Sequence, residues 1–227
     1  MRKKNTWVTK LRNNGIDCYY YSGSAQAGVI DDDEILTTVQ DDLNNTYDKL
    51  IASIDLLRNN GKMYDFIFKT NLSTYVNVDK FISFIEENCF NEDSYEGVLG
   101  CTNYCRESLY LTKYAKKISG YLPNIIGKIP FVSGAGSYLG MRTIQKICSI
   151  KRKKSFIDDV EIGYRVKRLG LDITQNAIHK RYDLILDSPT SNIEVVRNFT
   201  GYQFRLKNNN RKNDVDLMYK LHEILEE

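Results

Sequence analysis

The stretch Tyr64-Asp-Phe-Ile-Phe-Lys-Thr-Asn-Leu-Ser-Thr-Tyr-Val-Asn77 decides the fold class of this 227-residue chain. Its first half, Tyr64–Lys69, is a short apolar and aromatic run, which predicts a buried strand. Its second half, Thr70–Asn77, is rich in Asn, Ser and Thr and predicts a polar corner. In open α/β sheets, ligands bind beyond the carboxyl ends of the strands. The stretch is therefore either a strand end capped by turn residues or a strand that leads into a binding site.

Segments of strand and helix character alternate on both sides of this stretch. Apolar residues at helical spacing predict helices over 3–12, 46–57, 79–88, 138–150, 157–169 and 214–226. Runs of β-forming residues predict further strands over 18–22, 35–39, 97–100 and 184–186. Such alternation is typical of a parallel sheet flanked by helices. We therefore expect an α/β fold, in which residues 1–227 form a single Rossmann-like domain with a mixed, mainly parallel sheet.

Composition limits the classes of protein that this chain fits. Hydrophobic residues make up 42% of the chain, enough for a sizeable core. The 32 basic and 29 acidic residues leave a net charge of +3, which does not indicate a nucleic-acid partner. The five cysteines are an odd number without dense spacing, which argues against a disulfide framework. No apolar run reaches the roughly 18 residues of a membrane span, and the start is polar, so we expect a soluble, cytoplasmic protein.

Two further segments carry candidate functional residues. In Ile129–Gly140, the small residues at 133–136 would let a backbone approach a ligand closely, although a tight turn before a helix explains them equally well. We expect a turn-rich loop over 130–136. In Ser155–Gly163, Asp158 and Asp159 open an amphipathic helix. They are either first-turn residues that favour a helix N-terminus or a general base with a neighbouring carboxylate.

Five motifs occur in an order that resembles a known family. They are Arg2…Thr6-Trp7, a loose match over Tyr47–Ser53, Lys69–Asn77, Ser133-Gly-Ala-Gly-Ser-Tyr138 and Asp158-Asp159-Val-Glu-Ile-Gly163. Together they resemble the β-1,3-galactosyltransferase and Fringe-like group of GT-A glycosyltransferases, and the resemblance spans roughly residues 2 to 165. The resemblance implies a GT-A domain that moves a sugar from a nucleotide-sugar donor, UDP-linked by default, to a hydroxyl of a glycan acceptor.

The resemblance also implies roles for individual residues. Asp159 would be the general base of an inverting transfer, and Asp158 would flank it or orient the acceptor. The implied donor-binding residues are Lys69, Thr70, Asn71, Ser73, Arg205 and Lys207. The implied pocket for the sugar and the acceptor is lined by Ser133, Gly134, Ala135 and Gly136.

The chain departs from the family at its metal site. The family has Asp-Asp-Asp where this chain has Asn71, Leu72 and Ser73, and Gln203 stands where relatives carry a histidine. Mn²⁺ and Mg²⁺ prefer carboxylate ligands, so the metal ligands are unknown and no cofactor is certain. We hypothesise a transferase that is independent of metal or binds it weakly, with Arg205 and Lys207 neutralising the diphosphate. The alternative for these two residues is a solvated basic stretch.

Other features leave rival interpretations open. The acidic run Asp31–Asp33 is either a displaced metal motif or a solvated loop, and we expect the loop. Asp41 and Asp42 fit either ribose or base contacts or helix caps. The family has one more strand before its Arg…Trp segment, so either the sequence starts late or the nucleotide site is trimmed. A catalytically inactive, GT-A-like binder of nucleotides or glycans is the alternative function, and an unrelated α/β enzyme is a third. Without the membrane anchor of Golgi relatives, a bacterial or viral origin is expected.

Overall fold

The computed structural model describes residues 6–24, 28–88, 90–105, 126–150, 157–173, 181–184, 193–206 and 213–226. Within these ranges the chain is mixed α/β. The helices are α1 (Trp7–Asn13), α2 (Thr46–Asn59), α3 (Val78–Glu87), α4 (Met141–Cys148), α5 (Asp158–Arg168), α6 (Ile193–Asn198) and α7 (Asp214–Glu226), with a 3₁₀ turn at Leu43–Asn45. The strands are β1 (Tyr20–Gly23), β2 (Val29–Asp31), β3 (Glu34–Thr37), β4 (Phe66–Thr70), β5 (Thr74–Val76), β6 (Tyr95–Cys105), β7 (Ile126–Gly140), β8 (Arg181–Leu184) and β9 (Gln203–Leu206).

The central sheet has the order β4-β7-β6, and β7 runs antiparallel to both neighbours. Lys69 of β4 pairs with Ser137 of β7, and Thr70 pairs with Gly136. Side chains alternate between the two faces of a strand. The two faces of β4 therefore carry different residues, and Lys69 lies on the same face as Ile67.

Each face of the central sheet is covered by its own hydrophobic cluster. The first cluster joins Phe66 and Phe68 to residues of α1, α3, β9 and α7. It is rich in aromatic side chains; the rings of Phe90 and Tyr138 stack with centroids 4.1 Å apart. The second cluster joins Ile67 to residues of α2, α4 and α5. Lys69 thus emerges on the face that α5 covers.

Helix α1 is tied to helices that lie much later in the chain. Lys10 Nζ lies 2.9 Å from a carboxylate oxygen of Asp79 in α3 and 3.1 Å from one of Glu226 in α7. Trp7 of α1 and Leu221 of α7 belong to the same buried cluster. Helices from the beginning, middle and end of the described chain therefore form one layer.

Two smaller sheets flank the central one, and most of the described ladders are antiparallel. The sheet β1-β3-β2 has a parallel β1–β3 pair and an antiparallel β2–β3 hairpin. The sheet β5-β9-β8 has an antiparallel β5–β9 pair and a parallel β8–β9 pair. The α/β class is confirmed, whereas the mainly parallel sheet is not. The difference comes largely from the long antiparallel β6–β7 pair. The order of predicted strands and helices does not indicate the direction in which two strands pair.

One local prediction is wrong, and a second holds only in part, because Asp31 and Asp32 are exposed whereas Asp33 is buried. Residues 130–136, expected to be a turn-rich loop, lie within β7, where the small residues meet close neighbours rather than forming a turn. The run Asp31–Asp33, expected to be a solvated loop, forms the turn of the β2–β3 hairpin, with Asp32 at a φ of 52°. Asp33 is only 2% exposed and forms a 3.1 Å ion pair with Arg12.

The predicted helices agree better with the structure, because the apolar spacing of a helix is a local pattern in the sequence. The regions predicted over 46–57, 79–88, 157–169 and 214–226 correspond to α2, α3, α5 and α7. The residues before 6 and those at 185 and 186 lie outside the described part of the chain. None of the described helices is long and apolar enough to cross a membrane.

Candidate functional site

The end of β4, the start of α5 and the middle of β7 meet at a charged cluster. Lys69 Nζ lies 2.5 Å from Asp158 Oδ2, and the two side chains are 5% and 17% exposed. The same ammonium donates to the carbonyl oxygen of Gly134 at 3.4 Å. Three segments that the sequence singled out separately are thus brought together in space.

Asp159 is held by backbone donors beside this ion pair. The N–H of Gly134 donates to Asp159 Oδ2 at 3.3 Å, and the N–H of Val160 donates to Oδ1 at 2.8 Å. A helix N-terminus favours negative charge, which explains why adjacent carboxylates are tolerated here. The arrangement fits both the first-turn interpretation and the general-base interpretation of Asp159.

Burial is the main cause that raises the pKa of Asp159 above its ordinary value, and the nearby charge of Asp158 raises it further. The N–H groups of Gly134 and Val160 and the charge of Lys69 act in the opposite direction without cancelling the rise. A carboxylate with a raised pKa is a stronger base than an exposed one. Asp159 is therefore suited to accept a proton.

Lys69 stays cationic although it is buried. Burial lowers its pKa, but interactions with Tyr21 and with the carboxylates of Asp158 and Asp159 outweigh that effect, so its pKa is raised. Sequence reasoning missed Tyr21, whose pKa is itself raised, chiefly by burial. The predicted strand over 18–22 contained it, but nothing in the sequence indicated that this strand would approach Lys69.

A tight polar turn follows β4. Asn71 Oδ1 accepts hydrogen bonds from Ser73 N at 3.0 Å and from Ser73 Oγ at 2.8 Å. Thr74 Oγ1 lies 3.0 Å from the same oxygen and 2.8 Å from the carbonyl oxygen of Ala135. The turn is therefore closed on itself and fastened to β7.

Strand β9 lies across this turn. Arg205 pairs with Thr74 and is half-buried, while Gln203 is only 2% exposed. Because Phe204 belongs to the first hydrophobic cluster, the alternate residues Gln203 and Arg205 project from the opposite face. A Cβ built on Gly136 would come within 1.9 Å of Gln203 Oε1, so this glycine admits the glutamine side chain.

The other residues predicted to bind the donor or the acceptor have less informative surroundings. Thr70 pairs with Gly136 in the central sheet, and Ser133 Oγ accepts from the N–H of Ala135 at 3.4 Å. Lys207 lies outside the described residues. Among the described residues, no group of three or more His, Cys, Asp and Glu side chains is placed to hold a metal ion.

The second acidic pair behaves as a structural element. Asp42 caps the 3₁₀ turn by accepting from the N–H of Asn45 at 2.9 Å, which confirms the helix-cap interpretation for this residue. Asp41 forms an ion pair with Lys49 of α2. Within the described residues, neither carboxylate is hydrogen-bonded or ion-paired to the cluster at Lys69.

No protein-family model matches the chain, and no curated protein matches it either.

Proposed function

We propose that this chain is a GT-A-type glycosyltransferase that moves a sugar from a nucleotide-sugar to a hydroxyl of a glycan acceptor. The observation that carries the proposal is Asp159, a carboxylate with a raised pKa that adjoins a second carboxylate and a buried lysine at the end of β4. Raising the pKa of a carboxylate toward neutrality is how enzymes obtain a useful general base.

In the proposed reaction, Asp159 removes the proton from the acceptor hydroxyl as that oxygen attacks the anomeric carbon. The bond from the anomeric carbon to the nucleotide diphosphate breaks, and the diphosphate leaves with the bonding electrons. Because the hydroxyl attacks from the side opposite the leaving group, the configuration at the anomeric carbon is inverted. Lys69 forms an ion pair with Asp158 and thereby fixes the second carboxylate beside the base.

Gly134 gives the acceptor access to the base. A Cβ at this position would lie 3.5 Å from Asp159 Oδ2 and 3.2 Å from Lys69 Nζ. The missing side chain leaves room for a substrate atom beside the carboxylate. The neighbouring residues Ala135 and Gly136 are buried, and the space beside Gly136 is filled by the side chain of Gln203 in β9, where the proposed donor site begins.

The proposal extends to the type of domain, the donor nucleotide and the location of the enzyme. Helices on both faces of the central sheet, and a site at the end of β4, support a Rossmann-like GT-A domain. UDP is the default nucleotide, and a cytoplasmic location in a bacterial or viral system is expected. The choice of UDP follows from the resemblance of the motifs in Lys69–Asn77 and Asp158–Gly163.

The direct test measures transfer and hydrolysis of a panel of UDP- and GDP-sugars by the wild-type chain and by Asp159→Asn. We expect Asp159→Asn to lower kcat by about 10²- to 10⁴-fold, the usual contribution of a general base. Asp55→Asn, an exposed aspartate of α2, is the matched control and should leave kcat unchanged. Equal turnover by Asp159→Asn and wild type would refute the assignment.

A catalytically inactive binding protein is the second candidate. It is favoured by one observation: Asp158 is tied to Lys69, and both oxygens of Asp159 accept backbone hydrogen bonds, so the cluster is complete as a structural unit. Nucleotide binding without turnover of any sugar-nucleotide in the panel would favour this candidate over the transferase.

A further inference from the structure

We infer that the diphosphate of the donor is bound by Arg205 and Gln203 of β9 without a divalent cation, an inference that rests on the proposed transferase function. In the family that the sequence resembles, an Asp-Asp-Asp segment holds a metal ion against the diphosphate. The corresponding segment here is Asn71–Ser73, and its geometry does not fit a metal.

The segment has no carboxylate, and its side-chain amide oxygen is already engaged in hydrogen bonds. Asn71 Oδ1 already has three donors around it, two from Ser73 and one from Thr74, all within 3.0 Å. Leu72 is 75% exposed and has no ligand atom. Mn²⁺ and Mg²⁺ prefer carboxylate oxygens, so a metal would have to displace these donors to gain one neutral amide oxygen.

The carboxylates of the charged cluster are also engaged. Asp158 is paired with Lys69 at 2.5 Å, and Asp159 accepts hydrogen bonds from two backbone N–H groups. A metal at this position would have to compete with a buried ammonium for Asp158. The charge of a leaving diphosphate must therefore be balanced by donors from another element.

Strand β9 supplies such donors. Gln203 Nε2 is buried and has no hydrogen-bond partner in the part of the chain that the structure describes, and its amide lies against Gly136. Arg205 lies on the same face, opposite Thr74 of the polar turn. A guanidinium binds phosphate oxygens in pairs, and an amide N–H adds a further donor. Together they fit an anion with several acceptor oxygens, as a nucleotide diphosphate has.

The test is calorimetric binding of UDP and of GDP to the full chain, once with Mn²⁺ and once with EDTA. We expect the wild type to bind one of them with the same Kd under both conditions. Arg205→Ala should weaken binding by about 10- to 100-fold, the effect of losing hydrogen bonds to a charged group. Arg58→Ala, an exposed arginine of α2, is the matched control and should bind as the wild type does.

Gln203→Glu separates the two kinds of site, because it keeps the size of the side chain and replaces the N–H donor by a negative charge. At a site built from donors, this change weakens nucleotide binding in EDTA by at least about 10-fold. At a metal site, the added carboxylate strengthens binding in Mn²⁺. Arg205→Lys keeps the charge without the fork, so an intermediate loss is expected even if Arg205→Ala does not fold.

Each outcome decides one of the two proposals. Binding that requires Mn²⁺ would overturn the metal-free inference and leave the transferase standing. Metal-free binding that is unchanged in all three β9 variants would overturn the assignment to Gln203 and Arg205. Absence of nucleotide binding under every condition would refute the proposed function and this inference with it.

Discussion

Replacing Lys69 by methionine should destabilise the protein strongly, because it leaves the Asp158 carboxylate without its partner. Both side chains are largely removed from water, at 5% and 17% exposure, and their charged atoms are 2.5 Å apart. Breaking a buried ion pair by removing one partner costs about 3–5 kcal/mol. Because Asp158 keeps some contact with water, we expect a value near the lower end, about 3 kcal/mol.

This loss can be measured by thermal and urea denaturation. For a chain of this length, about 3 kcal/mol corresponds to a fall in Tm of about 6–12 °C. The double variant Lys69→Met/Asp158→Leu should recover much of the loss, since apolar replacement of a whole buried pair is often neutral. Arg142→Met is the control: Arg142 and its partner Glu92 are about half exposed, so Tm should change by less than about 2 °C.

Two results would refute the reasoning. If Lys69→Met and Arg142→Met had the same small effect, the pair at Asp158 would be solvated in solution and could not act as a buried element. If the losses in Lys69→Met and Asp158→Leu simply added in the double variant, the two side chains would not interact.

Three further predictions concern the same region. Asp159→Asn should raise Tm at neutral pH although it lowers kcat. A raised pKa means that the folded state binds the proton more tightly than the unfolded chain, so the ionised carboxylate destabilises the fold as pH rises through the folded pKa. Equal Tm values at neutral pH would contradict this. Lys69→Met should move the acid limb of the pH profile of kcat/KM to higher pH, because the charge of Lys69 lowers the pKa of Asp159. An acid limb at the same pH as in the wild type would show that the lysine charge does not act on the base. Gly163→Ala should lower the free energy of unfolding, measured by urea denaturation, by about 1–3 kcal/mol, since the new Cβ would lie 2.3 Å from the carbonyl oxygen of Pro130. Gly28→Ala is the control and should have a smaller effect, because its Cβ would meet only flexible methyl groups of Leu56 at 3.1 Å.

The local features of the fold could be predicted from the sequence. Helices α2 and α7 agree with their apolar spacing to within two residues, because the period of a helix is written into adjacent turns. The predicted strand over Tyr64–Lys69 also appears, as β4. The direction in which strands pair depends on contacts between distant segments, and so the antiparallel β6–β7 pair escaped prediction.

Small residues were the least predictable feature. Gly134 and Gly136 suggested a turn, because glycine is frequent where the chain reverses. In the structure they lie in β7 and leave space for the side chains of Asp159 and Gln203, which belong to other segments of the chain. The same limit applies to the site: the motif order indicated Lys69 together with Asp158 and Asp159, whereas the contribution of Tyr21 depends on where β1 is placed.

The ion pairs of Lys10 have a consequence for how the chain folds during synthesis. Lys10 and Glu226 are separated by 216 positions in the sequence, and at a synthesis rate of about 5–20 residues per second the second partner follows the first by about 10 to 40 s. During that time the apolar face of α1, with Trp7 and Leu11, lacks the helix that later covers it. Part of this apolar surface therefore stays exposed on the nascent chain until α7 is synthesised, and chaperones that hold apolar segments can bind it during this interval.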